Sequence, residues 1–224
     1  MGQYYRGVVL GKTTKRRKKI IIKQAYCCYA HKNGAKLMEH SYVGNWYVKA
    51  YEQALGGKFY GYPFVWAGDY ADEMYNTDVY TKANEFIDNK TKRNAKKKDF
   101  YPVKGGFGTL HFEKLYKDGD IEKADESDFV EKVITNDNAD KVDTFKYIIN
   151  LDKKEAVAMP ELKEDELTIH PLPLLCASGN GRGGGDYNGI NEDMVGKWAY
   201  DRIGMSNELP ADIEEIKVIF KECY

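Results

Sequence analysis

Five glycines occupy seven positions in Gly179-Asn180-Gly181-Arg182-Gly183-Gly184-Gly185, and Asp186-Tyr187 follow. Glycine brings no side chain and costs backbone entropy, so such a run is not there for packing. Successive N–H groups of a glycine turn can form a concave nest for an anion. Arg182 would add a bidentate grip on a phosphate or carboxylate, and Asn180 and Asp186 would meet the rest of the ligand. The alternative is a structural turn in which Asp186 accepts backbone N–H groups and Arg182 pairs with an acid.

Two histidines have the chemistry of a proton carrier. His170 precedes Pro171-Leu172-Pro173-Leu174-Leu175 and stands at the entrance to the glycine-rich segment. A structural histidine fixing the proline turn is the competing reading. His40 lies between Glu39 and Ser41. Successive residues of a strand alternate faces, so Glu39, His40 and Ser41 aim together only at a strand end. Ser41 is more simply a helix cap. Asp69 and Asp72 are three apart, and one helical turn would put them on one face. There they could hold Mg²⁺ or orient a histidine; acids at the start of a helix are the structural alternative. Trp66, just before them, is a stacking ring for a ligand or a core residue.

Several chemistries are excluded. Gly179-x-Gly181-x-x-Gly184 has the dinucleotide spacing, but the strand before it holds two prolines and Gly185 to Gly189 cannot begin a helix. No Gly-Lys-Ser/Thr follows for a P-loop. No Gly-x-Ser-x-Gly elbow is present, so serine hydrolase chemistry is not expected. Cys27-Cys28-x-x-His31 lacks zinc spacing, and there is no His-Glu-x-x-His.

The chain has 224 residues, a formal net charge of -1 and four cysteines. That is too few cysteines for a disulfide framework, and no apolar run approaches the ~20 residues that span a bilayer. No signal-peptide pattern opens it. A cytoplasmic location without a membrane partner is the simplest expectation. Basic residues crowd the first fifty positions, densest at Lys15-Arg16-Arg17-Lys18-Lys19, and recur at Lys92-Arg93 and Lys96-Lys97-Lys98. Solvated basic turns explain these runs better than nucleic-acid binding, since no nucleic-acid motif accompanies them. The 18 tyrosines imply a core edge rich in hydroxyl contacts.

The elements that must position these residues follow from periodicity. Tyr5–Leu10 and Ile20–Tyr29 read as strands, with the basic run as a hairpin loop or strand end between them. Val43, Trp46, Tyr47, Ala50, Tyr51, Ala54 and Leu55 predict a helix over 42–55, capped by Ser41 and stopped by Gly56. Tyr62–Ala67 reads as a strand and 78–89 as a helix. Leu110–Leu115 is strand-like, and 145–151 with 155–159 form a hairpin. Leu167–Cys176 reads as an edge strand or a strand end because of its prolines. Met194, Val195, Trp198, Ala199 and Ile203 predict a second main helix over 192–203, and Pro210 opens a short final one. Segments 88–106 and 118–143 read as surface insertions. The expectation is one α+β domain over 1–224, mostly antiparallel, with two main packed helices.

Met1-Gly2-Gln3-Tyr4-Tyr5, Leu37 to Ser41, Trp66 to Asp72, His170 to Leu175, Gly179 to Tyr187 and Val195-Gly196-x-Trp198-Ala199-x-Asp201 together resemble a recurring group of uncharacterised bacterial and phage-borne proteins. The resemblance implies a bacterial or phage origin and brings no activity with it.

These observations lead to one expected pocket, shared by Glu39, His40, Trp66, Asp69, Asp72, His170, Asn180, Arg182 and Asp186. Its ligand would be small and anionic or nucleotide-like. His40, His170 and Asp69 would carry proton transfer if it hydrolyses that ligand, and Asp69 with Asp72 would carry any Mg²⁺. The alternative is a defence-related factor that binds a host protein or sequesters a nucleotide without catalysis.

Overall fold

The structure, a computed structural model, describes residues 3–11, 13–16, 19–22, 25–28, 34–71, 79–84, 107–110, 144–161, 167–179 and 187–222. Its centre is an antiparallel pair. β1 (Tyr4–Leu10) and β6 (Tyr62–Gly68) run in register from Tyr5 opposite Gly68 to Val9 opposite Phe64. Both are rich in β-branched and aromatic residues, which suit a pleated surface.

Beyond β1 lie β4 (Ala25–Cys28) and β7 (Phe107–Leu110). Beyond β6 lie β12 (Arg202–Ser206), β8 (Tyr147–Asn150), β9 (Glu155–Ala158) and β13 (Glu214–Glu215). Two short strands complete this ten-stranded sheet: β5 (Ala35–Lys36) on β1 and β10 (Ala177–Ser178) on β6. Among the described strands, only the β10–β6 and β13–β9 pairs are parallel. The 147–158 hairpin agrees with the sequence pattern. The ends of the basic run, Lys15-Arg16 and Lys19, lie in two paired antiparallel strands, β2 (Thr13–Arg16) and β3 (Lys19–Ile22). A last pair joins β11 (Gly189–Ile190) to β14 (Lys221–Glu222).

Side chains alternate across the sheet. Tyr5, Val9, Phe64 and Trp66 face a layer built by α1 (Leu37–His40), α2 (Trp46–Gly56) and α3 (Pro171–Leu175). Val8, Leu10, Val65 and Ala67 face the opposite layer, which holds Val79, Tyr80 and Ala83 of the helical residues 79–84.

Four expectations are corrected. Among the described residues there is one helix of notable length, α2, and not two. Residues 192–203 form a 3₁₀ turn at Glu192–Met194, further turns and then β12. Alternate backbone N–H groups leave the segment, Gly196 to Leu174 O, Trp198 to Leu175 O and Tyr200 to Phe64 O, each at 2.8 Å, while Val195, Lys197, Ala199 and Asp201 close local three-residue turns. Gly196 and Tyr200 both have positive φ, which breaks a helix. The spacing of Val195 and Trp198 reflects a chain crossing over buried neighbours, which periodicity alone cannot distinguish from a helix.

The second correction is α3, expected as an edge strand or a strand end. Pro171 and Pro173 fall in the first helical turn, where a backbone N–H has no intrahelical partner to lose. The third concerns α2, which begins four residues later than predicted. Asn45 caps it, with Oδ1 accepting from Tyr47 N at 2.9 Å and Val48 N at 3.4 Å. Ser41 instead ends α1, and Tyr42 bridges to Ile169. After Pro210 a turn leads to β13, not a helix.

Candidate functional site

The end of the sheet where β1 begins and β6 finishes gathers four chain segments. Tyr4 and Tyr5 pair with Lys36 and Ala35 on one edge. On the other, Tyr5 pairs with Gly68, and Asp69 N donates to Tyr4 O at 2.9 Å. Beyond β6, Ala177 and Ser178 pair in parallel with Trp66 and Ala67. The parallel sense sends the chain out at Gly179, level with Gly68. Segments 35–40, 66–69 and 177–179 therefore share one sheet end, although they are far apart in sequence.

Sheet ends open where strand pairing stops, and here the polar groups are held closely. A Cβ on Gly68 would lie 3.0 Å from each of Gln3 Cδ, Ser178 O and Tyr5 Cε1. That glycine is a contact requirement. Gly34 is another: its φ is +90, and a Cβ would lie 2.3 Å from Tyr5 O. Gln3 is buried, and Tyr5 Oη donates to its Oε1. Ser178 Oγ is 3.4 Å from Tyr200 Oη.

On the opposite face, Arg6 is fully buried and sends Nε and Nη2 to Asn84 Oδ1 at 3.2 and 2.6 Å. Burial pushes the neighbouring Tyr80 phenol up to about 12, with the Arg6 charge pulling down and the Asp69 charge pushing up. Asp69 and Arg6 thus act on one tyrosine at this end of the sheet.

The expected site residues divide. Glu39 is exposed and pairs with Lys36 at 2.5 Å. His40 is half-buried, with Nδ1 3.2 Å from Lys36 O. Both follow β5 at the gathered end. Trp66 is fully buried, with Tyr47 and Tyr51 each 5.3 Å away, ring centre to ring centre. Asp69 is half-buried beside Tyr4. Asp72, Asn180, Arg182 and Asp186 lie outside the described residues.

His170 sits deep under α3. Its Nδ1 accepts from Leu172 N at 3.1 Å, and its Nε2 lies 3.0 Å from Glu52 Oε1. A ring nitrogen that accepts a backbone N–H carries no proton, so Nε2 bears the hydrogen and donates it to Glu52. Both nitrogens are engaged, and this histidine caps α3. Lys49 Nζ completes the cluster at 3.0 Å from Glu52 Oε2. Burial pushes the Glu52 carboxyl up, but the hydrogen bond from His170, with the Lys49 charge and hydrogen bond, outweighs it and leaves the group below its usual range.

Sequence reasoning missed Gln3, Arg6, Lys49 and Glu52. Two of them left a signal. Arg6 interrupts an apolar strand, and Glu52 lies one residue from the apolar stripe of α2. The buried thiols are poor nucleophiles: burial pushes Cys27 up to about 12 against the pull of Arg6, and raises Cys176 well above the ordinary thiol value.

Among the described residues, no group of three or more His, Cys, Asp or Glu side chains comes together as a metal centre, and no helix is long and apolar enough to cross a membrane. The described residues define an α+β protein with a mostly antiparallel sheet, a single helix of notable length among them and polar segments gathered at one sheet end. Comparison with protein-family models, curated proteins and solved structures returned no match.

Proposed function

We propose that the protein binds a small anionic, nucleotide-like ligand at the sheet end where the glycine-rich segment departs. The observation that supports this reading is the parallel pairing of Ala177 and Ser178 with Trp66 and Ala67. It brings Gly179, the first residue of the glycine run, level with Gly68. Ligands commonly bind in crevices at strand ends, where a few polar groups converge. Backbone N–H groups of the glycine run and the Arg182 guanidinium would neutralise the ligand's charge. If the bound ligand is hydrolysed, His40 is the better proton carrier of the two histidines, because His170 is enclosed by Glu52 and Leu172.

A thermal-shift panel of phosphate, pyrophosphate, AMP and ATP, with and without Mg²⁺, tests the reading. Saturating ligand stabilises the native state by mass action. A concentration-dependent rise in Tm with at least one phosphate compound supports the proposal. A flat response across the panel removes it.

A further inference from the structure

Tyr60 lies in the turn between α2 and β6, and its backbone is pinned there. Its N–H donates to Gly57 O at 3.1 Å, and the next N–H, of Gly61, donates to Ile203 O at 2.9 Å. A glycine on the neighbouring strand places the ring. A Cβ at Gly204 would lie 2.4 Å from Tyr60 Cε2, 2.7 Å from Cδ2 and 2.9 Å from Cζ. An approach along the ring's edge would leave the two flanking carbons well beyond the nearest one. Three adjacent carbons at such similar distances are met face-on. The phenol ring therefore lies flat on the backbone of β12, and a side chain at position 204 would lift it off.

With that face covered, Tyr60 is still 41 % exposed. Its ring stacks on no other ring, and its hydroxyl bonds no other group, among the described residues. An aromatic ring with backbone behind it and solvent before it is a platform for a second planar group. Arg202 stands two residues before Gly204, about 7 Å along the same face of β12; Ile203 and Met205 face α2 instead. The guanidinium is anchored at one corner. Its Nε donates to Asp152 Oδ1 at 2.7 Å, and Asp152 Oδ2 accepts from Arg202 N at 2.8 Å. The two Nη groups donate to nothing among the described residues, and the side chain is 52 % exposed. A guanidinium held by Nε presents its Nη pair as a fork, which matches a phosphate.

We propose that Tyr60 and Arg202 form a nucleotide-binding site, in which the base stacks on the open face of Tyr60 and the phosphate accepts from the free Nη groups of Arg202. Gly204 and Asp152 are positioning residues: one seats the ring and the other holds the guanidinium. A stacking face alone accepts any flat ring, and a guanidinium alone any anion. Side by side they select a ligand that joins a planar ring to an oxyanion. The site stands where β6 begins, at the opposite end of that strand from Gly68. It uses none of the residues of the sheet end described above, so it holds or fails separately from the oxyanion reading there.

The probes are AMP, adenosine and inorganic phosphate, and the readout is titration calorimetry on wild type, Tyr60→Leu and Arg202→Lys. Tyr60→Leu keeps an apolar cover on Gly204 and removes the stacking face. Arg202→Lys keeps a cation beside Asp152 and removes the fork. Wild type should bind AMP more tightly than adenosine or phosphate. Each variant should lose about tenfold in affinity for AMP, the size of one stacked base or one charge-assisted contact. No binding of AMP by wild type, or unchanged affinity in either folded variant, overturns the proposal. A second measurement does not depend on the variants folding. In wild type with ¹³C-labelled tyrosine rings, the Tyr60 ring signals should shift saturably with AMP, along the calorimetric isotherm. Tyr60 signals that stay still while other resonances shift mean that AMP binds elsewhere; the inference then fails, and the oxyanion reading is left standing.

Discussion

The Tyr51 hydroxyl stands between two strands, donating to Gly7 O and accepting from Cys28 N at 3.0 Å. β1 and β4 pair directly at Val9–Tyr26 and Leu10–Ala25. Two residues further along, α2 inserts a phenol between Gly7 and Cys28, where strand would meet strand. The ring fits because position 7 has no side chain: a Cβ there would lie 2.6 Å from Tyr51 Cζ and 2.8 Å from Trp66 Cζ3. Burial raises the Tyr51 phenol well above its ordinary value, so it stays protonated and can donate.

Gly7→Ala should therefore destabilise the fold by overpacking, by about 1–3 kcal/mol. Tyr51→Phe keeps the ring but removes the bridging oxygen from Gly7 O and Cys28 N, at a cost of about 1–3 kcal/mol. Urea denaturation checks both. A Gly7→Ala protein as stable as wild type would show that the ring contact at position 7 is not tight.

The Glu52 cluster ties part of the acid stability to one carboxylate. Its folded pKa is lowered, so its contribution is fully present above the unfolded value of about 4.3 and is lost as pH falls through the lower folded value. Glu52→Gln should remove that contribution at neutral pH and leave Lys49 buried without its anion. The cost of breaking such a pair is about 3–5 kcal/mol. Denaturation curves between pH 7 and pH 3 read it: the difference between wild type and variant should shrink as the pH drops below the unfolded value. A constant difference across that range contradicts the assignment.

Much of this was legible from the chain. The 147–158 hairpin, β1 and β6 were written in β-branched and aromatic runs, and α2 in a three-four apolar stripe. Trp198 shows where pattern reading fails. It and Val195 have helical spacing, yet their neighbours' N–H groups bond to α3 and β6. That choice depends on tertiary partners no local window contains. His170 shows the same limit at the candidate site. Its role as a cap depends on Glu52, 118 residues away. Position 3 gave no signal at all, because an amide's value depends on what orients it.

The thiols offer an independent check on the packing. Cys27 is held at about 12 against an ordinary 9.0, which leaves roughly a thousandth of the usual thiolate near neutral pH. Cys27 and Cys176 should resist an aromatic disulfide reagent in the native protein and react on addition of denaturant. Peptide mapping of the labelled positions distinguishes them from Cys223. Rapid native labelling at position 27 would contradict the closed core around β1 and β4.

The central claim is an oxyanion site at the end of β1 and β6, served by Arg182. Titration calorimetry of wild type and Arg182→Ala with pyrophosphate tests it most directly. The account predicts saturable one-site binding by wild type, weakened about tenfold or more in Arg182→Ala through loss of a charge-assisted contact. Absence of binding by wild type, or equal affinity in the two proteins, would contradict it.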